Sequence, residues 1–176
     1  MELPDFIRMG NAEPVLRYLI IGGWAVGAHG HSRATFDVDF MVRRVDRDAW
    51  VERTTTHGLK LFRESGAFAQ FTQPAGDGFD LMFVGEPTFN QIWATAEERT
   101  FAGVSARVPC LDHLLALKLH ALRQNLAHRT SKDADDVEVL LRRHELNLAD
   151  PHYEALFLKY GTREIYETFV RILGHA

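Results

Sequence analysis

Up to about residue 109 the apolar positions of this chain come in short runs; beyond Pro109 they recur at helical spacing. Tyr18-Leu19-Ile20-Ile21 is apolar and partly β-branched, which predicts a buried strand. Gly22-Gly23 breaks that run, Trp24 to His29 reads as a short helix, and Asp37 to Val42 as a second strand. Residues near 5–17 carry a first helix pattern, with Asp5 after Pro4 as its cap. Asp46 to Thr56 predicts a helix capped by Asp46 and followed by Gly58. Three strand-like runs follow, Leu59 to Glu64, Phe68 to Gln73 and Phe79 to Val84. Ser65-Gly66 and the stretch from Pro74 to Gly78 have hairpin chemistry between them. Thr88 to Thr95 fits a short helix, and Phe101 to Val108 a strand pair or a loop around Gly103. Helical periodicity then marks Leu111 to Leu126, Lys132 to Arg143, Pro151 to Tyr160 and Arg163 to Leu173.

The fold class expected from this order is α/β (α+β): a small mixed β-sheet flanked by helices, followed by a C-terminal helical region. The join falls near residue 109, so residues 1–109 form the mixed-sheet core and 110–176 the helical region that completes it. Trp24, Phe62, Phe68, Phe71 and Phe83 are read as core residues. The sequence shows no internal repeat and no low-complexity segment.

Composition narrows the setting. With 176 residues, 46% of them hydrophobic, the chain can bury a core of its own. A net charge of −4 gives no footprint for non-specific nucleic-acid binding, though it leaves room for a local basic groove. One cysteine, Cys110, excludes an internal disulfide, suits a reducing cytosol, and is read as a small buried residue. No apolar stretch has the length of a membrane span, and Met1-Glu2-Leu3-Pro4-Asp5 lacks the features of a signal peptide. These features lead to the expectation of a cytoplasmic protein without a membrane partner.

The chemistry concentrates between residues 21 and 40. Asp37 and Asp39 are two apart on a predicted strand and so face the same side. Aspartate is a poor strand former, and two adjacent carboxylates repel unless a cation lies between them. The alternative is a solvent-facing strand edge; the functional reading is a pair of ligands for Mg²⁺, or for Mn²⁺, shared with substrate phosphates. Asp80 opens the apolar run Phe79 to Val84, where a lone buried charge would be costly. It either points to solvent or joins the other two as metal ligand or proton acceptor. Gly22-Gly23 at a strand-to-helix turn lets backbone N–H groups approach a phosphate. Arg33 can neutralise phosphate charge or pair with an aspartate, and Thr35 shapes the turn. Lys118 interrupts the apolar stripe of Leu111, Leu114, Leu115 and Leu122, and either snorkels to water or enters a site and contacts nucleotide phosphates. Ser131 can cap the helix whose first turns hold Asp133 to Asp136, where acidic residues suit the helix dipole. His29 with His31, and His113 with His120, lack a zinc-site pattern; the first pair lines the phosphate loop or faces solvent.

Gly22-Gly23, Arg33, Thr35 and Asp37-Val38-Asp39 together resemble the first motif of the DNA polymerase β-like nucleotidyltransferase superfamily. Within it the chain is most similar to the AbiEii-type nucleotidyltransferases, several of which are toxins of toxin–antitoxin pairs. Asp80 and Lys118 match the third acidic residue and the helical lysine of that family, and Lys132-Asp133-Ala134-Asp135-Asp136 its downstream acidic motif, in which Asp133 would pair with Lys118 or orient the nucleotide. The resemblance spans roughly residues 18–141. It implies a nucleoside triphosphate substrate, transfer of a nucleotide to an acceptor hydroxyl and release of pyrophosphate. Asp37, Asp39 and Asp80 would hold the metal, Gly22, Gly23, Arg33, Lys118 and Asp133 would serve the nucleotide, and an antitoxin is the implied protein partner. The acceptor is open among tRNA, a protein and a small molecule. Two departures stand out: many members have Gly-Ser where this chain has Gly22-Gly23, and many are longer. Gly22-Gly23-Trp24-Ala25-Val26 is also similar to the aminoglycoside and lincosamide nucleotidyltransferases, which modify small antibiotics. A nucleotide-binding module without turnover is the non-enzymatic alternative.

Overall fold

The computed structural model describes residues 1–31, 33–74, 78–124 and 130–174. It divides into two compact units, Met1–Ala28 with Arg33–Cys110, and His29–Ser32 with Leu111–Ala176.

The first unit is built on a five-stranded mixed sheet. Its strands are β1 (Tyr18–Ile20), β2 (Val38–Arg43), β3 (Lys60–Glu64), β4 (Phe68–Thr72) and β5 (Phe79–Val84), in the spatial order β1-β2-β5-β4-β3. Only β2 and β5 run parallel; the other pairs are antiparallel. Period-two alternation sorts the two faces. Val38, Phe40 and Val42, Phe79, Leu81 and Phe83, and Ala69 and Phe71 form one fully buried face. Helix α1 (Leu3–Asn11) lays Phe6 on Phe79 with ring centroids 4.6 Å apart. Helix α3 (Arg47–Thr56) sets Trp50 edge-on to Phe40 at 5.9 Å and to Tyr18 at 5.8 Å. Burial raises the pKa of the Tyr18 phenol, whose hydroxyl donates to Asn11 Oδ1 at 2.8 Å. Asp39, Asp80 and Gln70, on the alternate positions, project from the other face.

The remaining elements of this unit are α2 (Gly22–Ala28), α4 (Glu86–Ala94) and the ribbon of β6 (Glu97–Phe101) and β7 (Val104–Val108). The ribbon is tied to α1 by Asn11 Nδ2, which donates to the Ser105 carbonyl at 2.9 Å.

Several expectations are corrected. The first helix covers Leu3–Asn11 rather than 5–17, because Pro14 disfavours helical backbone at Glu13. Asp5 is not its cap; Glu2 takes that position and its N–H donates to Asp5 Oδ2 at 3.1 Å. Asp46 stands at the cap of α3, but its carboxylate is taken by Arg43 at 2.6 and 2.8 Å, and a 3₁₀ turn (Arg44–Asp46) precedes the helix. Phe62 and Phe68 are not core: they are 74% and 40% exposed, since β3 is a sheet edge and Phe68 lies on the face away from Phe71. Trp24 is half-buried, as is Cys110. The expected turn between Pro74 and Gly78, and the end of the helix expected to reach Leu126, fall partly outside the described residues.

The second unit holds four helices among the described residues, α5 (Leu111–Arg123), α6 (Thr130–Arg143), α7 (Pro151–Tyr160) and α8 (Arg163–Leu173). Leu114, Leu115, Leu119 and Leu122 of α5 are buried, as are Val137, Leu140 and Leu141 of α6. Phe157 of α7 meets Phe169 of α8 at 5.7 Å. Asp150 and Thr162 cap α7 and α8, accepting from His152 N at 2.8 Å and Ile165 N at 3.1 Å. Ser131 is not a cap, since α6 already begins at Thr130. Among the described residues no helix is long and apolar enough to cross a membrane.

Candidate functional site

Asp39 on β2 and Asp80 on β5 are register partners. Neighbouring strands lie about 4.8 Å apart, and partners in a ladder share a face, so the two carboxylates stand side by side. Both are half-buried. Asp37 is exposed and sits one residue ahead of β2. Its Oδ1 rests against Gly78, where a Cβ would come within 2.6 Å of it; Val38 N donates to the Gly78 carbonyl at 3.0 Å and holds that approach.

The glycine pair lies against these groups. Gly22 has φ +63°, and a Cβ there would run into the Asp39 carboxylate. A Cβ at Gly23 would come within 2.6 Å of Thr35 Oγ1 and 3.2 Å of Arg33 Nη1. Ile21 N donates to the Asp39 carbonyl at 2.9 Å and fixes the turn to β2. Gly22, Gly23, Arg33, Thr35 and Asp39 thus share one neighbourhood. Gly22→Ala adds left-handed strain of about 1–2 kcal/mol and displaces Asp39. Urea denaturation should show a loss of at least that size, and an unchanged midpoint would contradict the geometry.

Among the described residues, no three His, Cys, Asp or Glu side chains converge into a ready-made metal cage. The arrangement still fits Mg²⁺, which binds through one or two carboxylates together with waters and substrate phosphates rather than through an all-protein cage. Two carboxylates in register on one face are such a donor set.

A second charged cluster occupies the helical unit. Lys118 does not snorkel: its Nζ lies 2.7 Å from Asp133 Oδ1 and 2.7 Å from Asp136 Oδ2, and all three residues are buried. His31 Nε2 stands 4.0 Å from Asp136 Oδ1. His29 does not face solvent; it is buried, and its carbonyl is 3.0 Å from His144 Nε2. His113 has its pKa lowered by burial, against the opposing pull of Asp112.

One polar residue escaped the sequence reading. Gln70 of β4 donates from Nε2 to Asp80 Oδ2 at 2.9 Å, a contact visible only once strands are paired. Asp136, part of the acidic motif read from the sequence, lies i, i+3 from Asp133 and shares its helix face.

No protein-family model and no curated protein matches the sequence. Solved structures do resemble it. The antibiotic-resistance factor ANT(2'')-Ia superposes with a TM-score of 0.65 at 16% identity, covering 97% of this chain and 94% of that one. The lincosamide antibiotic adenylyltransferase LnuA gives a TM-score of 0.57 at 14% identity, over 80% of this chain and 96% of that one. An antigenic nucleotidyltransferase-like protein from Paracoccidioides brasiliensis gives 0.57 at 15% identity, over 97% and 84%. At these identities the likeness is one of fold, and the chain has a mixed α/β nucleotidyltransferase fold.

Proposed function

We propose that this chain transfers a nucleoside monophosphate from a nucleoside triphosphate to an acceptor hydroxyl and releases pyrophosphate. The observation that carries this reading is the register of Asp39 with Asp80 on the face opposite the aromatic core, beside the Gly22-Gly23 turn. Asp37 and Asp39 would hold Mg²⁺ or Mn²⁺, with Asp80 as a further ligand. The bound cation would neutralise the phosphates and polarise the α-phosphoryl group. The Gly22-Gly23 turn would offer backbone N–H groups to the phosphate oxygens, and the Arg33 guanidinium can offset their charge. Asp80 accepts the proton of the attacking hydroxyl. The new bond joins that oxygen to the α-phosphorus, and the bond from the α-phosphorus to the bridging oxygen breaks as pyrophosphate leaves. Positioning and charge neutralisation do most of the work in such transfers. Lys118 and Asp133, assigned to the nucleotide by the motif resemblance, are ion-paired in the helical unit, and the chemistry proposed here rests on residues of the first unit.

The acceptor separates two versions of this reading. The fold neighbours include an antibiotic-resistance factor and a lincosamide antibiotic adenylyltransferase, which favours a small antibiotic-like hydroxyl compound. The resemblance to AbiEii-type proteins favours a cellular acceptor, a toxin role and an antitoxin partner. Incubation with each α-³²P-labelled triphosphate, Mn²⁺ and either a purified antibiotic panel or cell extract decides between them. Label in an antibiotic supports the first version; label in RNA or protein supports the second. Triphosphate binding without pyrophosphate release from any combination would make the chain a binding module instead.

A further inference from the structure

We infer that Arg17, Trp93 and Arg107 form a docking surface for the phosphate backbone of a single-stranded nucleic acid. The surface lies away from the carboxylates proposed to hold the metal, and the inference does not depend on the transfer reading.

The cluster is built on one helix face. Phe89 and Trp93 lie i, i+4 on α4 and stack with centroids 5.7 Å apart. The guanidinium carbon of Arg17 sits 5.4 Å from the centre of Trp93 and 5.8 Å from that of Phe89. The guanidinium carbon of Arg107 sits 4.6 Å from the centre of Trp93, so two cations share one indole. Phe89 is buried, Arg17 and Trp93 are half-buried, and Arg107 is exposed. Arg17 also donates to Asn90 Oδ1 at 3.4 Å, a neutral partner. Among the described residues neither guanidinium has a carboxylate in ion-pair range. Acids are at hand: on the same ribbon Arg99 pairs with Glu97, and Arg107 is the register partner of Glu98 yet lies over the ring instead.

An aromatic ring carries no net charge, so it orients a guanidinium without neutralising it. Stacking covers one face of the group and leaves its N–H edge for an acceptor. That edge is a planar fork matched to two oxygens of a phosphate. Two forks held on one ring suit a ligand that repeats its anionic group at short intervals. A phosphodiester strand does so, and its unpaired bases can stack on guanidinium planes. With a net charge of −4 on the chain, a polyanion needs such a local concentration of cations to bind.

Position sets the cluster apart from the candidate transfer site. Tyr18, next to Arg17, pairs with Val42, while Ile21 N donates to the Asp39 carbonyl. Four residues of extended chain separate Arg17 from Ile21, about 13 Å. That is beyond a small compound seated at Asp39 and within the reach of a few nucleotides.

The test is fluorescence anisotropy of a labelled oligouridine RNA with the full chain, without metal or triphosphate, over a series of salt concentrations. The wild type should bind. Arg17→Gln with Arg107→Gln should lose about twentyfold at roughly 0.1 M salt, with a plot of log affinity against log salt shallower by about 1.4, the counterion release of two phosphate contacts on a single strand. Arg8→Gln with Arg163→Gln removes the same net charge from exposed arginines outside the cluster and should bind as the wild type does. Arg107→Gln alone, at an exposed position, serves if the double change impairs folding; its slope should be shallower by about 0.7. An unchanged slope with a lower melting temperature would make the two arginines structural and overturn the docking surface. No binding by the wild type at low salt, or equal losses in the two double variants, would overturn it too. None of these results bears on Asp37, Asp39 or Asp80, whose test is metal-dependent pyrophosphate release.

Discussion

Asp39→Asn should lower the rate of pyrophosphate release about a thousandfold, a loss of about 4 kcal/mol in transition-state stabilisation, while the protein stays folded. The two halves of this expectation have one cause. Asp39 stands in register with Asp80, and its carboxylate lies against Gly22 at the turn proposed to receive the triphosphate. Asparagine matches its shape and keeps the backbone link from Ile21 N to the Asp39 carbonyl. It removes one negative charge from the carboxylates proposed to hold the cation, so metal affinity falls. The same change keeps the side chain's shape and lessens repulsion with Asp80, so the protein should stay folded. A structural aspartate would behave in the opposite way, with stability falling and turnover persisting. Pyrophosphate release measured beside thermal denaturation distinguishes the two, and retained turnover in a folded variant would refute the assignment of Asp39.

What the sequence revealed and what it hid follow from how local each signal is. Asp37 and Asp39 stood out as candidates because their spacing and the poor fit of aspartate to a strand are visible within a few residues, though β2 begins only at Val38 and leaves Asp37 ahead of it. The core faces of β2 and β5 were legible because alternation is local too. Phe62 and Phe68 misled because an aromatic residue in a strand pattern does not reveal whether that strand ends up central or at an edge. The start of β6 was missed because Glu97, Glu98, Arg99 and Thr100 carry no apolar alternation; the strand exists through its ladder with β7, which pairs Glu98 with Arg107 and Thr100 with Ser105. Gln70 was invisible for a related reason. Its meaning comes from facing Asp80, ten residues on, and nothing in the residues between specifies that register. Lys118 was conspicuous as a break in an apolar stripe, yet its partners on α6 decide what the break means.

That lysine carries the largest stability effect expected in the chain. Lys118→Met should destabilise the folded protein by about 3–5 kcal/mol, the usual cost of removing one member of a buried ion pair. Methionine fits among Leu114, Leu115 and Leu122, so packing is not what is lost. The loss arises because Asp133 and Asp136 are left close together and buried, and the Asp136 side chain is fully shielded from solvent. The arrangement already holds two carboxylates to one ammonium, so removing the ammonium leaves both negative charges without their shared counterion. A domain of this size is ordinarily stable by only about 5–15 kcal/mol, so the variant should unfold at a much lower urea concentration. Replacing the carboxylates as well gives the decisive comparison. Lys118→Met with Asp133→Asn and Asp136→Asn should recover most of the lost stability, because the charges that required the lysine are then gone. Failure of the triple variant to recover would mean that the lysine stem holds the helices by packing. A single variant as stable as the wild type would mean that the ion pairs contribute nothing. The first outcome, loss on removal of the lysine and recovery on removal of the acids, would show that α5 carries a cation in its apolar stripe because α6 places two buried carboxylates opposite it.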